Sequence, residues 1–165
     1  MYKIGDLIFY GRTGVCHVSD LVTQADKELY ILEPLYCNYT ISTPVDTKTY
    51  MRPIIAKEEA ERLIDTIPTV KAEPYHSRVI RELTGHYDES LKTNNCADLI
   101  ALTMSIYEKK QDAELQKRKL GAIDEKYMKR SEELLFVELA AALGIDKDDV
   151  PKYIAERLEE RKGEQ

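Results

Sequence analysis

The chain has 165 residues and a formal net charge of −6, with 43% hydrophobic and 33% charged residues. An acidic chain offers no overall positive field to phosphates, which argues against a protein whose main partner is nucleic acid. No stretch approaches the roughly 18 apolar residues of a membrane span, and the first residues lack a cationic and apolar leader, so we expect a cytoplasmic protein of one or two domains.

The first 18 residues predict two short strands around a tight turn. Apolar residues alternate or run together over residues 7–10 and again over residues 15–18, on either side of Gly11-Arg12-Thr13-Gly14. Glycines suit this reversal because other side chains resist positive φ. A phosphate-binding loop would require a Gly-Lys-Ser/Thr ending and a following helix, and the sequence has neither. We therefore favour a strand turn.

Two further strands are predicted over residues 29–32 and 39–45. Both segments carry β-branched and aromatic residues, which suit a pleated and half-buried surface. Polar turns over residues 26–28 and 46–48 separate them. About five short strands up to residue 52 are too few for a sandwich, and they predict a small Tudor-like or SH3-like β-barrel.

From residue 56 onward the apolar residues recur at helical spacing. Ala60, Leu63 and Ile64 share one face of a first predicted helix, and Pro68 ends it. The period therefore changes from that of strands to that of helices, and the sequence indicates an α+β fold.

The segment after this first helix is the best candidate for a domain boundary. We expect residues 69–74 to form a linker. The chain then divides into a barrel over residues 1–68 and a helical domain over residues 75–165.

Four more helices are predicted beyond the linker. Pro74 can occupy the first turn of the second helix, where a missing amide proton costs little, and Asn94-Asn95 can cap the third. The fourth covers about residues 121–143, and aspartates within residues 146–149 mark the entry to the last. The C-terminal half should be a compact, all-α bundle.

No pattern for catalysis or metal binding is present. Cys16, Cys37 and Cys96 are far apart and lack a Cys-x-x-Cys spacing, so we expect reduced thiols, no metal and no cofactor. An enzyme using Cys16 and His17 would need a third orienting group, and none is in view. We expect neither catalysis nor a small-molecule substrate.

The densest basic region lies between the third and fourth predicted helices and extends into the fourth. Its members are Lys117, Arg118, Lys119, Lys126, Lys129 and Arg130. Asp124 and Glu125 are interleaved with them, so the region is either an ordinary surface of mixed charge or a phosphate-contacting one. The sequence leaves both interpretations open.

One set of motif residues follows in order along the N-terminal half: Gly5, Asp6, Tyr10, Gly14, Val15, Pro44, Val45 and Arg52. In this order and at these spacings they resemble the CarD family of bacterial transcription regulators. The resemblance extends into the helical half. It implies that the barrel binds the β subunit of RNA polymerase by strand addition, in which main-chain hydrogen bonds give affinity. The matching strand and its boundary are Tyr39, Thr40, Ile41, Ser42, Thr43 and Pro44.

The resemblance also implies that the helical domain contacts promoter DNA at the edge of the melted region. The family's Asn-Trp-Ser-Arg segment, whose tryptophan wedges into the minor groove, aligns with Tyr75-His76-Ser77-Arg78, and this chain has no tryptophan. His76 then occupies the wedge position with Tyr75 beside it, and Arg78 and Arg81 lie near enough on the helix to meet phosphates. The other interpretation is that Tyr75 and His76 are an exposed helix start without a role in DNA binding. Binding to DNA should be weak and non-specific. The alternative is an acidic adaptor that binds polymerase or another protein without DNA contact.

Overall fold

The computed structural model describes residues 1–93 and 95–163 and contains a five-stranded antiparallel sheet followed by helices. The strands are β1 (Leu7–Tyr10), β2 (Gly14–Gln24), β3 (Lys27–Pro34), β4 (Ile41–Pro44) and β5 (Met51–Pro53). The helices are α1 (Lys57–Thr66), α2 (Ile80–Lys92), α3 (Cys96–Leu115), α4 (Ala122–Leu143) and α5 (Val150–Gly163). The predicted α+β class is confirmed. None of the described helices is long and apolar enough to cross a membrane.

The sheet has the strand order β4-β3-β2-β1-β5, so β4 and β5 are its two edges. Within the described residues no pairing joins these edges, and the Tudor-like sheet is therefore open. One of its faces carries a cluster of the sheet's own side chains, with Ile8, Val18 and Tyr30 buried at its centre. This small core braces both edge strands, since Ile41 of β4 and Met51 of β5 pack against it.

The opposite face of the sheet packs against the helices. Phe9 and Val15 belong to one buried cluster with residues of α1, α3 and α4, such as Ile64 and Leu139. The turn before β2 comes so close to α4 that a Cβ on Gly14, which has φ +99°, would lie 2.9 Å from Leu134 Cδ2. A continuous core thus crosses the predicted boundary at residues 69–74, and the division into two domains stays a prediction.

Local residues mark the start of α3, the end of α4 and the approach to α5. The Asn95 side chain accepts a hydrogen bond from the Ala97 N–H at 2.8 Å and caps α3, whereas Asn94, the other half of the predicted cap, lies outside the described residues. Gly144, with φ +74°, ends α4. Asp146 accepts from the Asp148 N–H at 2.9 Å in a single 3₁₀ turn before α5.

The second helix begins six residues later than the sequence predicts, at Ile80 and not at Pro74. Ser77 Oγ accepts a hydrogen bond from the Val79 N–H at 3.1 Å, and Val79 itself has the extended ψ of 112°. Such a side-chain bond to the local backbone competes with helix formation. Residues 70–79 are not helical, so the predicted helix start at Pro74 and the exposed helix start expected at Tyr75 and His76 are both wrong.

Candidate functional site

Strand β4 presents a free edge whose outward main-chain groups follow from its register. It pairs with β3 through Tyr30↔Thr43 and Leu32↔Ile41, and just beyond it the Val45 N–H donates to the Glu28 carbonyl at 3.0 Å. Hydrogen-bonded and non-bonded pairs alternate along an antiparallel ladder. Ile41 and Thr43 therefore bond to β3, while the N–H and C=O of Ser42 and the C=O of Pro44 point away from the sheet.

The side chains of β4 alternate between the core and solvent. Thr43 is buried and its hydroxyl accepts a hydrogen bond from the Tyr10 hydroxyl at 3.2 Å, whereas Ser42 and Pro44 are exposed. Tyr39 and Thr40, which the sequence places in the strand, precede it and are exposed. The sheet thus anchors the strand on one side and leaves the other open to a partner.

A buried ion pair joins the sheet to α4 beside β5. The carboxylate of Glu138, which is fully buried, accepts from Arg52 Nη1 at 2.5 Å and Nη2 at 2.8 Å, and from the Ile55 N–H at 3.1 Å. Burial lowers the pKa of Arg52, but the hydrogen bonds and charge of Glu138 outweigh it and raise that pKa above its ordinary value. The Arg52 guanidinium also lies 4.4 Å from the centre of the Phe9 ring.

This ion pair was missed at the sequence level. Arg52 is singled out only as part of the family pattern, and Glu138 not at all. The available signal is a single carboxylate in an apolar stretch, since Glu138 lies between Val137 and Leu139. A charge at such a position is rarely buried without a partner, but the sequence does not say which cation reaches it.

Three of the candidate DNA-contacting residues meet around one cavity. His76, Arg78 and Arg118 line a cavity of about 640 Å³ together with Lys109 and Asp124. Lys109 Nζ lies 2.9 Å from a carboxylate oxygen of Asp124, and both side chains are about nine-tenths buried. The charge of Lys109 is therefore compensated by Asp124, and the positive charge that faces solvent there comes from Arg78 and Arg118.

Tyr75 does not stand beside His76 as an exposed ring. Its ring stacks on that of His86, with centroids 3.9 Å apart and planes 9° from parallel, and Lys109 Nζ donates to the Tyr75 carbonyl at 2.8 Å. Tyr75 is half-buried, whereas His76 is exposed. The packing leaves His76 as the exposed ring of this segment.

The remaining basic candidates lie elsewhere. Arg81 is exposed on α2, and Lys117 and Lys119 are exposed in the loop between α3 and α4. A second set borders a groove of about 450 Å³ between α4 and the β1–β2 turn, which we call the junction groove. Its basic residues are Arg12, Lys126, Lys129 and Arg130. The basic region thus divides into the loop residues 117–119, of which Arg118 lines the cavity, and the α4 residues of the junction groove. Arg12 was not among the sequence candidates.

The thiols are divided by burial. Cys16 and Cys96 are buried, and burial raises the pKa of each thiol to about 12, so both stay protonated near neutral pH. Cys37 is exposed. Within residues 1–93 and 95–163, no group of three or more His, Cys, Asp or Glu side chains is placed to hold a metal ion.

Comparison with known families identifies the sheet. Residues 2–55 match the family model described as the CarD-like/TRCF RID domain. The N-terminal sheet is a CarD-like RID domain. This confirms the resemblance for the N-terminal sheet, and every residue of its pattern from Gly5 to Arg52 lies inside the matched range. The family consists of RNA polymerase-interacting domains of transcription factors and is not a class of enzymes. No match is found among curated proteins.

Proposed function

We propose that this protein is a bacterial, cytoplasmic transcription regulator that binds the β subunit of RNA polymerase through β4 of its RID domain. Its helical half then lies against promoter DNA and changes the stability of the open complex. The observation that carries the proposal is the open edge of β4, with the main-chain groups of Ser42 directed away from the sheet.

Strand addition suits this edge for three reasons. The inner bonds of Ile41 and Thr43 hold β4 on β3, and the hydroxyls of Tyr10 and Thr43 join it to β1, so the edge is rigid before a partner arrives. Ser42 offers one donor and one acceptor to an incoming strand. Pro44 offers an acceptor only, which limits how far the added ladder extends.

The proposed DNA contact is supported by His76, Arg78 and Arg118, which surround one cavity. Held at the promoter by polymerase, the guanidinium groups of Arg78 and Arg118 need to neutralise few phosphates, which agrees with the weak binding expected of the acidic chain alone. The regulator shifts the closed-to-open equilibrium only by the difference in its affinity for the two forms. His76 takes the wedge position in this proposal, and its imidazole recovers less stacking than an indole.

Proline at Ser42 tests the polymerase contact without breaking the inner ladder. In full-length protein, Ser42→Pro removes the outward donor, and Ser42→Ala keeps it and removes only the hydroxyl. An unpaired carbonyl left on the partner strand costs about 1–3 kcal/mol, so we expect roughly 5- to 150-fold weaker binding to the polymerase β subunit for Ser42→Pro. Ser42→Ala should stay within about twofold of the parent. Biolayer interferometry measures both.

Parental affinity of a folded Ser42→Pro variant would contradict docking through β4. Proline at Ile41 or Thr43 is a poorer test because it breaks bonds to β3 and destabilises the sheet. Open-complex lifetimes decide between the two functions. If the parent binds polymerase and leaves these lifetimes unchanged, the protein is the adaptor without DNA contact.

A further inference from the structure

The junction groove combines cations from the two halves of the chain. Arg12 comes from the β1–β2 turn of the RID domain, and Lys126, Lys129 and Arg130 come from α4. The three α4 residues are spaced i, i+3 and i+4, which places them on one face of the helix with neighbouring Cβ atoms about 5–6 Å apart. Arg12 lines the same groove from outside the helix.

The RID turn is held against α4 at this point. The Arg130 guanidinium donates a hydrogen bond to the Arg12 carbonyl. Two residues further on, the absence of a side chain at Gly14 allows the turn to approach Leu134. The main chain of Arg12 is therefore held against α4, whereas its side chain is exposed.

The balance of charge in the groove is positive, although the whole chain is acidic. The acidic residues in its lining are Asp88 and Glu133, and Asp88 already accepts from the Tyr127 hydroxyl at 2.7 Å. Among the described residues, Arg12 and Lys126 form no ion pair. Lys129 lies 3.3 Å from Glu125, but this pair is exposed and such pairs are weak.

We propose that the junction groove binds the sugar–phosphate backbone of duplex DNA, with Arg12 as a phosphate contact supplied by the RID domain. The proposal rests on the proposed function, because it extends the same DNA contact to a second surface. A row of cations at helical spacing meets successive phosphates and carries no information about base sequence. The polymerase-binding domain would then touch the same DNA as the helical half.

The salt dependence of DNA binding tests this assignment. Each neutralised phosphate contributes about −0.9 to the slope of log Kobs against log salt concentration. In fluorescence anisotropy with a labelled 25-bp duplex and full-length protein, we expect Arg12→Ala to flatten that slope by about 1. Lys27→Ala is the matched control, since it removes one exposed cation from the same domain. Lys27 begins β3 and pairs with Gln24, at the end of β2 that is far from the Arg12 turn. This control should leave the slope unchanged.

Lys126→Ala gives a second measurement in the same groove, and it should also flatten the slope by about 1. Parental slopes for both groove variants would overturn the assignment, as would an equal loss in Lys27→Ala. Competition by poly-glutamate as strong as that by unlabelled duplex would replace phosphate recognition with acidic-peptide binding. Binding of the parent protein to the polymerase β subunit is measured separately. If the parent does not bind, the proposed function is refuted, and the salt dependence of DNA binding still tests the junction groove.

Discussion

Replacing Glu138 with glutamine should lower the stability of the whole molecule. The Glu138 carboxylate is fully buried and accepts three hydrogen bonds, two from the Arg52 guanidinium and one from the Ile55 N–H. Glutamine keeps the shape of the side chain but loses its charge and turns an NH₂ group toward donors. The Arg52 side chain, only 16% exposed, then keeps a charge without its counter-ion.

The expected cost follows from this burial. Removing one partner of a buried ion pair typically costs about 3–5 kcal/mol, and the partial exposure of Arg52 favours the lower end. The total stability of a domain is about 5–15 kcal/mol. In a protein of this size each kcal/mol shifts Tm by roughly 2–4 °C, so a loss of about 3 kcal/mol should lower Tm by roughly 6–12 °C.

Thermal unfolding followed by circular dichroism measures this shift. Glu133→Gln is the matched control because it makes the same substitution at an exposed site on α4, and its Tm should change by no more than about 2 °C. Adding Arg52→Met to Glu138→Met should recover part of the lost stability, since the unpaired guanidinium is gone. A Glu138→Gln protein with the parental Tm would refute the buried ion pair as a major contributor to stability.

Two further predictions concern pH and thiol chemistry. Hydrogen bonds from Arg157, at 2.7 and 2.9 Å, lower the pKa of Asp65, so the contribution of this pair is complete above the unfolded pKa of about 3.9 and is lost as pH falls through the lower folded value. Urea unfolding should show Asp65→Asn destabilised at pH 7 and converging with the parent toward pH 2; a constant gap would contradict this. Burial of Cys16 and Cys96 predicts that DTNB at pH 8 labels Cys37 alone in the folded protein and all three thiols in urea, and fast labelling of three thiols without urea would disprove it.

The sequence by itself determined the features that depend on near neighbours. Turn glycines, the Asn95 cap and the end of α4 at Gly144 were all readable because each acts within a few residues of its position. The strand pattern and motif order likewise identified the RID domain, which the family match over residues 2–55 confirms. The presence of a strand at β4 was also predictable, because its residues and the neighbouring family motifs are recognised from residue type alone.

Tertiary structure decided what depends on partners far apart in sequence. Lys109 donates a hydrogen bond to the Tyr75 carbonyl, 34 positions away, and Glu138 meets Arg52 across 86 positions. The division of the basic residues into two sets depends on how α4 lies against the RID turn. The outward donor at Ser42 depends on the parity of the β3–β4 register, which a shift of one residue would reverse. Local sequence preferences predict none of these contacts, because only packing brings such distant residues together.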